Sequence, residues 1–317
     1  MAQLDRVLRS NIKLRHLQLL VALDQFRHLG RTSELLSVSQ PAVSRMLTEI
    51  ESMLGQVLFL RSTRGTEPTQ AGAAMVRFAR SVLAQYERTR DEIGALESGT
   101  VGRVRVGAMG VALSPLLADA VDRLKQHSAR ATVLIETGDL TNLLPKLRLK
   151  EIDLFVGRLE PGYASPDLTT EPLYAEPMVA VVAAGHPLAR RRKPAWADLA
   201  AMPCVMPPPW ASLRVKLEQQ FHRYGVEPPE DVIEASSYRA IELFVRRRGA
   251  AGFMAQSAAR ESEQAGSLSV LRLPVDLDLP SVGIIALRDL TPTAVAMQLM
   301  HCLRQAAAEK RPRRKAK

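Results

Sequence analysis

Leu35-Leu36-Ser37-Val38-Ser39-Gln40-Pro41-Ala42-Val43-Ser44-Arg45-Met46-Leu47-Thr48-Glu49-Ile50-Glu51-Ser52-Met53-Leu54-Gly55 decides the fold. Ser39 is a helix cap: its side-chain oxygen accepts a free first-turn N–H, and Pro41, within that first turn, forfeits no helical hydrogen bond. Val43, Met46, Leu47, Ile50 and Leu54 recur at i, i+3, i+4, i+7 and i+11, which is one buried stripe. Gly55 then ends the helix. At about 100° per residue the opposite face carries Pro41, Ser44, Arg45, Thr48 and Ser52. That face has donors and a cation but no carboxylate, because Glu49 and Glu51 flank the stripe instead. A solvated face mixes both signs, whereas a face that approaches phosphates excludes acids; a chance run of small polar residues is the bland alternative.

Upstream, Leu14, Leu17, Leu20 and Val21 give helical periodicity from Lys13 to Phe26. After a break at His28-Leu29-Gly30, a short helix fits Arg31 to Ser37 and buries Leu35 and Leu36. Three short helices with tight turns make a helix-turn-helix. Downstream, Val57 to Arg61 reads as a strand and Thr66 to Thr69 as its return, a two-stranded wing with Arg64 at the tip. An arginine on a narrow loop suits a minor groove, and an ordinary exposed hairpin is the alternative. From Gln70 to Leu96, the residues Met75, Ala79, Val82, Tyr86, Thr89, Ile93 and Leu96 alternate gaps of four and three. This is a heptad seam on a rod of about 40 Å. Such a rod pairs with a second copy or packs on its own domain.

Gly99-Thr100-Val101-Gly102 reads as a hinge. Beyond it strands alternate with helices, which argues for a mostly parallel α/β sheet, in one large domain or two small ones. Strands fit Val104–Val106, Thr132–Glu136, Asp153–Gly157, Met178–Ala183, Cys204–Met206, Val232–Ala235, Leu268–Leu273 and Val282–Leu287. Helices fit Ser114–Lys125, Asn142–Lys150, Ser212–Arg223, Tyr238–Arg247 and Pro292–Glu309.

The bulk composition agrees. Lys+Arg number 43 against 33 Asp+Glu, a net charge of +10, which suits a polyanion partner or a solvated basic surface. The run from Lys310 to Lys317 reads as a disordered basic tail. Cys204 and Cys302 stand far apart and read as reduced core thiols. No apolar run reaches membrane-spanning length and the first residues lack a signal pattern, so the expected location is the cytoplasm, with no membrane partner. The six histidines (His16, His28, His127, His186, His222, His301) show no metal spacing. No GxSxG, P-loop or HExxH occurs, so no catalytic or metal residue is named and no enzyme is expected.

The first ~70 residues resemble the winged helix-turn-helix of the LysR-type transcriptional regulators. The run from Leu35 to Arg45, with Ile50-Glu51, Leu54-Gly55, Phe59, Arg61, Arg64-Gly65 and Thr69-Gln70-Ala71-Gly72, carries that resemblance. Glu151-Ile152-Asp153-Leu154-Phe155-Val156 and Gly185-His186-Pro187-Leu188-Ala189 extend it over nearly the whole chain. The resemblance implies a winged helix-turn-helix over 1–70 and a linker and dimerisation helix over 71–98. An α/β effector domain like a periplasmic binding protein follows over 99–309, with a basic tail at 310–317. Its first subdomain is 103–172 with 278–309, and its second is 173–277.

By the same resemblance Gln40, Pro41, Ser44 and Arg45 line the major-groove surface and Arg64 sits on the wing; Ser39, Thr48 and Arg61 complete the expected DNA contacts. Met109, Gly110, Gly138, Asp139, Thr141, Ser236 and Ser237 are the effector loops. The implied function is sequence-specific regulation of a promoter, modulated by a small polar or anionic effector in a cleft, with no cofactor. The partners are double-stranded DNA, the effector, a second copy through the linker helix and on to a tetramer, and RNA polymerase if the protein activates. A constitutive or protein-gated regulator is the alternative; an enzyme on the α/β domain, an architectural DNA binder and a plain binding protein fit less well. The chain departs from the family pattern at Gly30, where a Ser or Thr cap is usual, at Thr32-Ser33, where alanines are usual, and at Met109-Gly110, which offer no hydroxyl. Near Phe253-Met254-Ala255-Gln256 the usual Leu-Pro ending is also absent.

Overall fold

A computed structural model describes residues 7–62, 65–98 and 102–310. Arg64, most of the expected hinge and all but the first residue of the basic tail lie outside the described residues. The chain divides into two compact units, one of residues up to Arg103 with Pro145–Ile152, the other of Val104–Leu144 with Asp153 onward.

The first unit opens with α1 (Leu14–Phe26), α2 (Leu29–Leu36) and α3 (Gln40–Leu54). Strands β1 (Phe59–Ser62) and β2 (Gly65–Pro68) form the antiparallel wing, with Phe59 opposite Pro68 and Ser62 opposite Gly65. The 29-residue α4 (Gln70–Ser98) follows. Helix α1 touches α2, α3, α4 and β2. A helix so surrounded is apolar on more than one side, and Leu17, Leu19, Leu20 and Leu23 are all buried while Leu14 is exposed. The core continues through Val43, Leu47, Ile50, Leu58, Phe59, Val76 and Ala79.

Helix α2 differs from its sequence reading. It starts at Leu29 because His28 caps it: Nδ1 accepts the N–H groups of Gly30 at 3.1 Å and Arg31 at 3.4 Å. The cap missing at Gly30 is thus supplied two residues earlier. Leu35 is exposed and Leu36 half-buried, while Thr32 and Ser33 are buried. Their hydroxyls donate to His28 O at 2.9 Å and Gly30 O at 2.7 Å. Hydroxyls satisfied within their own helix enter a core without an unpaired polar group.

Two glycines join the wing to its neighbours. A Cβ on Gly65 would lie 2.8 Å from the Arg27 carbonyl oxygen, which accepts the Thr66 N–H at 2.9 Å. A Cβ on Gly72 would lie 1.9 Å from the Leu58 carbonyl oxygen. Thr69 fixes that approach: Oγ1 donates to Val57 O at 2.8 Å and accepts Gly72 N–H at 3.0 Å. The Thr69-Gln70-Ala71-Gly72 run is therefore a helix cap plus a close backbone contact.

The seam on α4 splits. Ala79 is buried in the unit's own core, with Met75 and Val82 packed against it. Tyr86, Thr89, Ile93 and Leu96 are exposed.

The second unit holds two five-stranded sheets, in the orders β4-β3-β5-β12-β6 and β11-β7-β10-β8-β9. The strands are β3 (Arg103–Ala108), β4 (Thr132–Thr137), β5 (Leu154–Arg158), β6 (Leu168–Tyr174), β7 (Met178–Ala183), β8 (Cys204–Met206), β9 (Val232–Glu234), β10 (Ala251–Ala255), β11 (Leu268–Val270) and β12 (Val282–Leu287). The longer helices after α4 are α5 (Ala118–His127), α6 (Leu140–Arg148, of which Pro145–Arg148 counts with the first unit), α7 (Ser212–Arg223), α8 (Tyr238–Arg248), α9 (Gln256–Gln264) and α10 (Ala294–Lys310).

The sheets are mixed rather than mostly parallel. β3 and β5 run parallel, as do β8 with β9 and β10, but β12 is antiparallel to β5 and β6, and β7 to β10 and β11. The antiparallel members are those beside the two crossings, where the chain leaves the first sheet after β6 and returns at β12. Sequence reading passed over β6 and β10. β6 contains Pro172, tolerated because β6 is an edge strand. β10 is a short apolar run with Gly252, which carries no alternation to read. Helix α5 begins later than expected because the backbone breaks at Ser114, which is extended (φ −122°, ψ 133°). Both cysteines are free and buried, and burial pushes the Cys204 thiol up to about 12, which leaves it inert near neutral pH.

Candidate DNA interface and effector loops

Ser39 caps α3, its Oγ accepting Ala42 N–H at 3.4 Å, and Gly55 ends the helix in the left-handed region (φ 63°). The stripe Val43, Leu47, Ile50 is buried, and Met46 and Leu54 are half-buried. Ser39, Gln40, Pro41, Arg45 and Thr48 are consequently exposed, with Ser44 half-buried among them. Glu51 is withdrawn from this face: its Oε1 accepts the N–H groups of Leu58 at 2.8 Å and Phe59 at 3.1 Å, tying α3 to the entry of β1.

The wing strand reaches back. Arg61 is exposed on β1 and its Nη1 donates to Ser44 Oγ at 3.0 Å. Thr48, one turn beyond Ser44, donates its hydroxyl to Ser44 O at 3.0 Å. Seven of the eight sequence-named contacts thus lie on α3, its cap or β1, and the eighth, Arg64, is outside the described residues.

Below this surface, His16 is fully buried; its Nδ1 accepts Lys13 N–H at 3.2 Å, and its Nε2 has no partner. Burial holds its pKa below the usual imidazole value, with Arg15 and Lys13 adding to the depression and Glu49 opposing it.

In the second unit Met109, Gly110, Gly138, Asp139 and Thr141 follow the carboxyl ends of β3 and β4. Gly138 N–H donates to Ala108 O at 3.1 Å, joining the two loops. Asp139 Oδ1 accepts Thr141 Oγ1 at 2.5 Å, Asn142 N at 3.0 Å and Asn142 Nδ2 at 2.9 Å. The positive end of α6 therefore already holds a carboxylate of this chain. Ser236 and Ser237 are exposed after β9, in the other sheet, and Ser237 precedes α8 without a side-chain cap.

Sequence reading missed the group at the crossings. Arg158, at the end of β5, is buried and donates to Pro280 O at 2.9 Å and Glu176 O at 2.7 Å, one carbonyl in each crossing segment. The Glu176 carboxylate accepts Ser257 N–H at 3.0 Å in the first turn of α9. Tyr238 Oη accepts Ala255 N–H at 3.3 Å, and burial pushes its phenol up to about 12. Burial also lowers the Arg158 pKa and raises that of Tyr174. These residues are distant in sequence and share no motif.

Two family descriptions match the chain. Residues 14–73 match the bacterial regulatory helix-turn-helix of the lysR family, and residues 97–308 match the LysR substrate binding domain. The chain belongs to the LysR family of transcriptional regulators. Among relatives of this LysR regulator, GbpR of Azospirillum brasilense is 31% identical over 306 residues, covering 96% of this chain and 89% of GbpR. GalR of Pseudomonas putida is 30% identical, covering 93% of this chain and 74% of its own. The fold matches the crystal structure of CbnR, a LysR family transcriptional regulator, with a TM-score of 0.72 at 20% identity over 93% of this chain and 99% of CbnR. Full-length CbnR complexed with its target DNA matches with a TM-score of 0.71, again at 20% identity, over 93% of this chain and 100% of that one. These relatives are transcriptional regulators rather than enzymes. No helix among the described residues is long and apolar enough to cross a membrane.

Proposed function

We propose that α3 enters the major groove of double-stranded DNA with Gln40, Pro41, Ser44, Arg45 and Thr48 toward base edges, and Ser39 and Arg61 beside phosphates. The observation that carries this reading is the exposed polar face Ser39 to Thr48 of α3, from which Glu51 is drawn away by two backbone N–H groups while Glu49 stands exposed at its flank. Arg64 joins the contacts from the wing tip. Two copies pair through the bare half of α4, Tyr86 to Leu96, so the operator has two-fold symmetry, and pairs assemble further into a tetramer. The protein acts in the cytoplasm, and contacts RNA polymerase if it activates.

The effector meets the loops at Met109-Gly110, Gly138 to Thr141 and Ser236-Ser237, in the cleft between the two sheets. Asp139 already occupies the amino end of α6, so a neutral, hydroxyl-bearing effector suits these loops better than a carboxylate anchored there.

The test is Arg45→Ala. Binding to the operator, measured at fixed salt, should weaken by about 1–3 kcal/mol, with lost preference at one base position. Equal loss on every duplex reassigns Arg45 to a phosphate, and unchanged affinity removes it from the interface.

A further inference from the structure

We propose that Arg61 fixes the hydrogen-bond polarity of Ser44, so that this serine reads a base acceptor and rejects a base donor. The inference rests on the major-groove placement of α3 proposed above.

A serine hydroxyl is ambivalent: it carries one proton to give and two lone pairs to receive. On an isolated recognition helix it accepts either kind of base edge. Here the Arg61 guanidinium donates to Ser44 Oγ at 3.0 Å from the neighbouring strand. One lone pair is occupied, so the hydroxyl proton turns away from Arg61. The cation also repels any second donor that approaches the same oxygen. What remains available to the groove is the O–H as donor.

Base edges differ in just this property. Guanine offers N7 and O6 and thymine offers O4, all acceptors, while cytosine offers only the N4 amino donor; adenine presents one of each. A donor-only Ser44 therefore favours guanine or thymine and disfavours cytosine. Thr48 makes the contrast internal to the helix. Its proton is committed to Ser44 O at 3.0 Å, so it presents lone pairs and a methyl group. That polarity is set by the helix backbone and does not depend on Arg61.

The experiment uses the full-length protein and a pool of randomised duplexes, from which the preferred operator is selected. Dissociation constants are then measured at fixed salt for all four bases at each position. The proteins are the parent, Arg61→Ala, Arg61→Lys, Ser44→Ala and the Arg61→Ala/Ser44→Ala double variant. Arg61 is exposed and Ser44 half-buried, and matching thermal midpoints establish that the variants fold. The parent should show a position where cytosine costs about tenfold relative to guanine or thymine. Ser44→Ala should abolish that cost, and Arg61→Ala should remove most of it beyond any uniform weakening. Arg61→Lys should retain part, and the double variant should match Ser44→Ala at that position. A uniform loss in Arg61→Ala with an unchanged base profile makes Arg61 a phosphate contact only and overturns the proposal. A specific operator without any Ser44-dependent position overturns it too, while leaving the regulator reading intact. Failure to select any operator removes the DNA reading itself.

Discussion

The α3 surface and the loops of the α/β unit solve opposite problems. On α3 the chemistry is consecutive: Ser39 caps, and Pro41, Ser44, Arg45 and Thr48 follow at helical spacing. Ser39, Gln40, Pro41, Arg45 and Thr48 stand exposed, with Ser44 half-buried among them. In the α/β unit the bonded groups come from separate segments: Gly138 N–H meets Ala108 O, and Arg158 and Ser257 meet Glu176, while Asp139 is satisfied by Thr141 and Asn142 of its own loop. Asp139 sits on the amino end of α6 and Glu176 on that of α9. A reading surface is left open for its partner, whereas the loops at Gly138 and Asp139 are bonded internally and must exchange those bonds for bonds to a ligand, with Ser236 and Ser237 left exposed. Each exchanged hydrogen bond is close to neutral in net free energy, which suits a response that is easily shifted.

The strongest way to break the comparison is to remove the support of one side. Leu47 is fully buried beneath the α3 face. Leu47→Ala should destabilise the first unit by about 2–5 kcal/mol, the usual cost of a buried leucine truncation. Calorimetry should show the first unit's transition shifted down, operator binding lost on warming, and the transition of the α/β unit in place. A single transition that shifts as a whole would mean the units unfold together.

A sharper and smaller test sets two caps against each other. Ser39 receives one long N–H contact, 3.4 Å, while Asp139 Oδ1 receives three donors between 2.5 and 3.0 Å. Ser39→Ala should cost about 0.5 kcal/mol and Asp139→Ala about 2 kcal/mol, the two ends of the usual capping range. The second variant also vacates the positive end of α6. Added acetate should raise its melting temperature and leave the parent unchanged. Equal response of both proteins to acetate would show that Asp139 does not fill that place.

How much of this could be read in the sequence follows from the same contrast. The limits and caps of α3 were legible because every determinant is within four residues of its target. The neighbouring α2 was not: Thr32 and Ser33 look polar and Leu35 looks apolar, yet local back-bonding buries the hydroxyls and leaves Leu35 outside. The heptad seam was visible as spacing, but spacing does not say which partner each half meets, and Met75, Ala79 and Val82 meet their own unit. The crossing cluster of Arg158, Glu176 and Tyr238 was invisible, since its members meet only after two sheets form. The loops at Met109 and Asp139 came from family resemblance, and nothing in their spacing joined Gly138 to Ala108.

The smallest effect concerns acid. His16 is buried in the reading unit, with a folded pKa below its unfolded value because burial penalises the imidazolium. In the unfolded chain it protonates near the ordinary value of about 6.5. The unfolded state then binds the extra proton first, so stability is complete above that value. It declines as pH falls through the unfolded pKa, and levels off only below the folded one. Protonation also converts Nδ1 from the acceptor of Lys13 N–H into a donor, removing the cap of α1. Urea midpoints of the first unit's transition should therefore fall between pH 7 and 5, and His16→Gln should flatten the dependence while lowering stability at pH 7. A parent profile as flat as the variant's would place the acid sensitivity elsewhere.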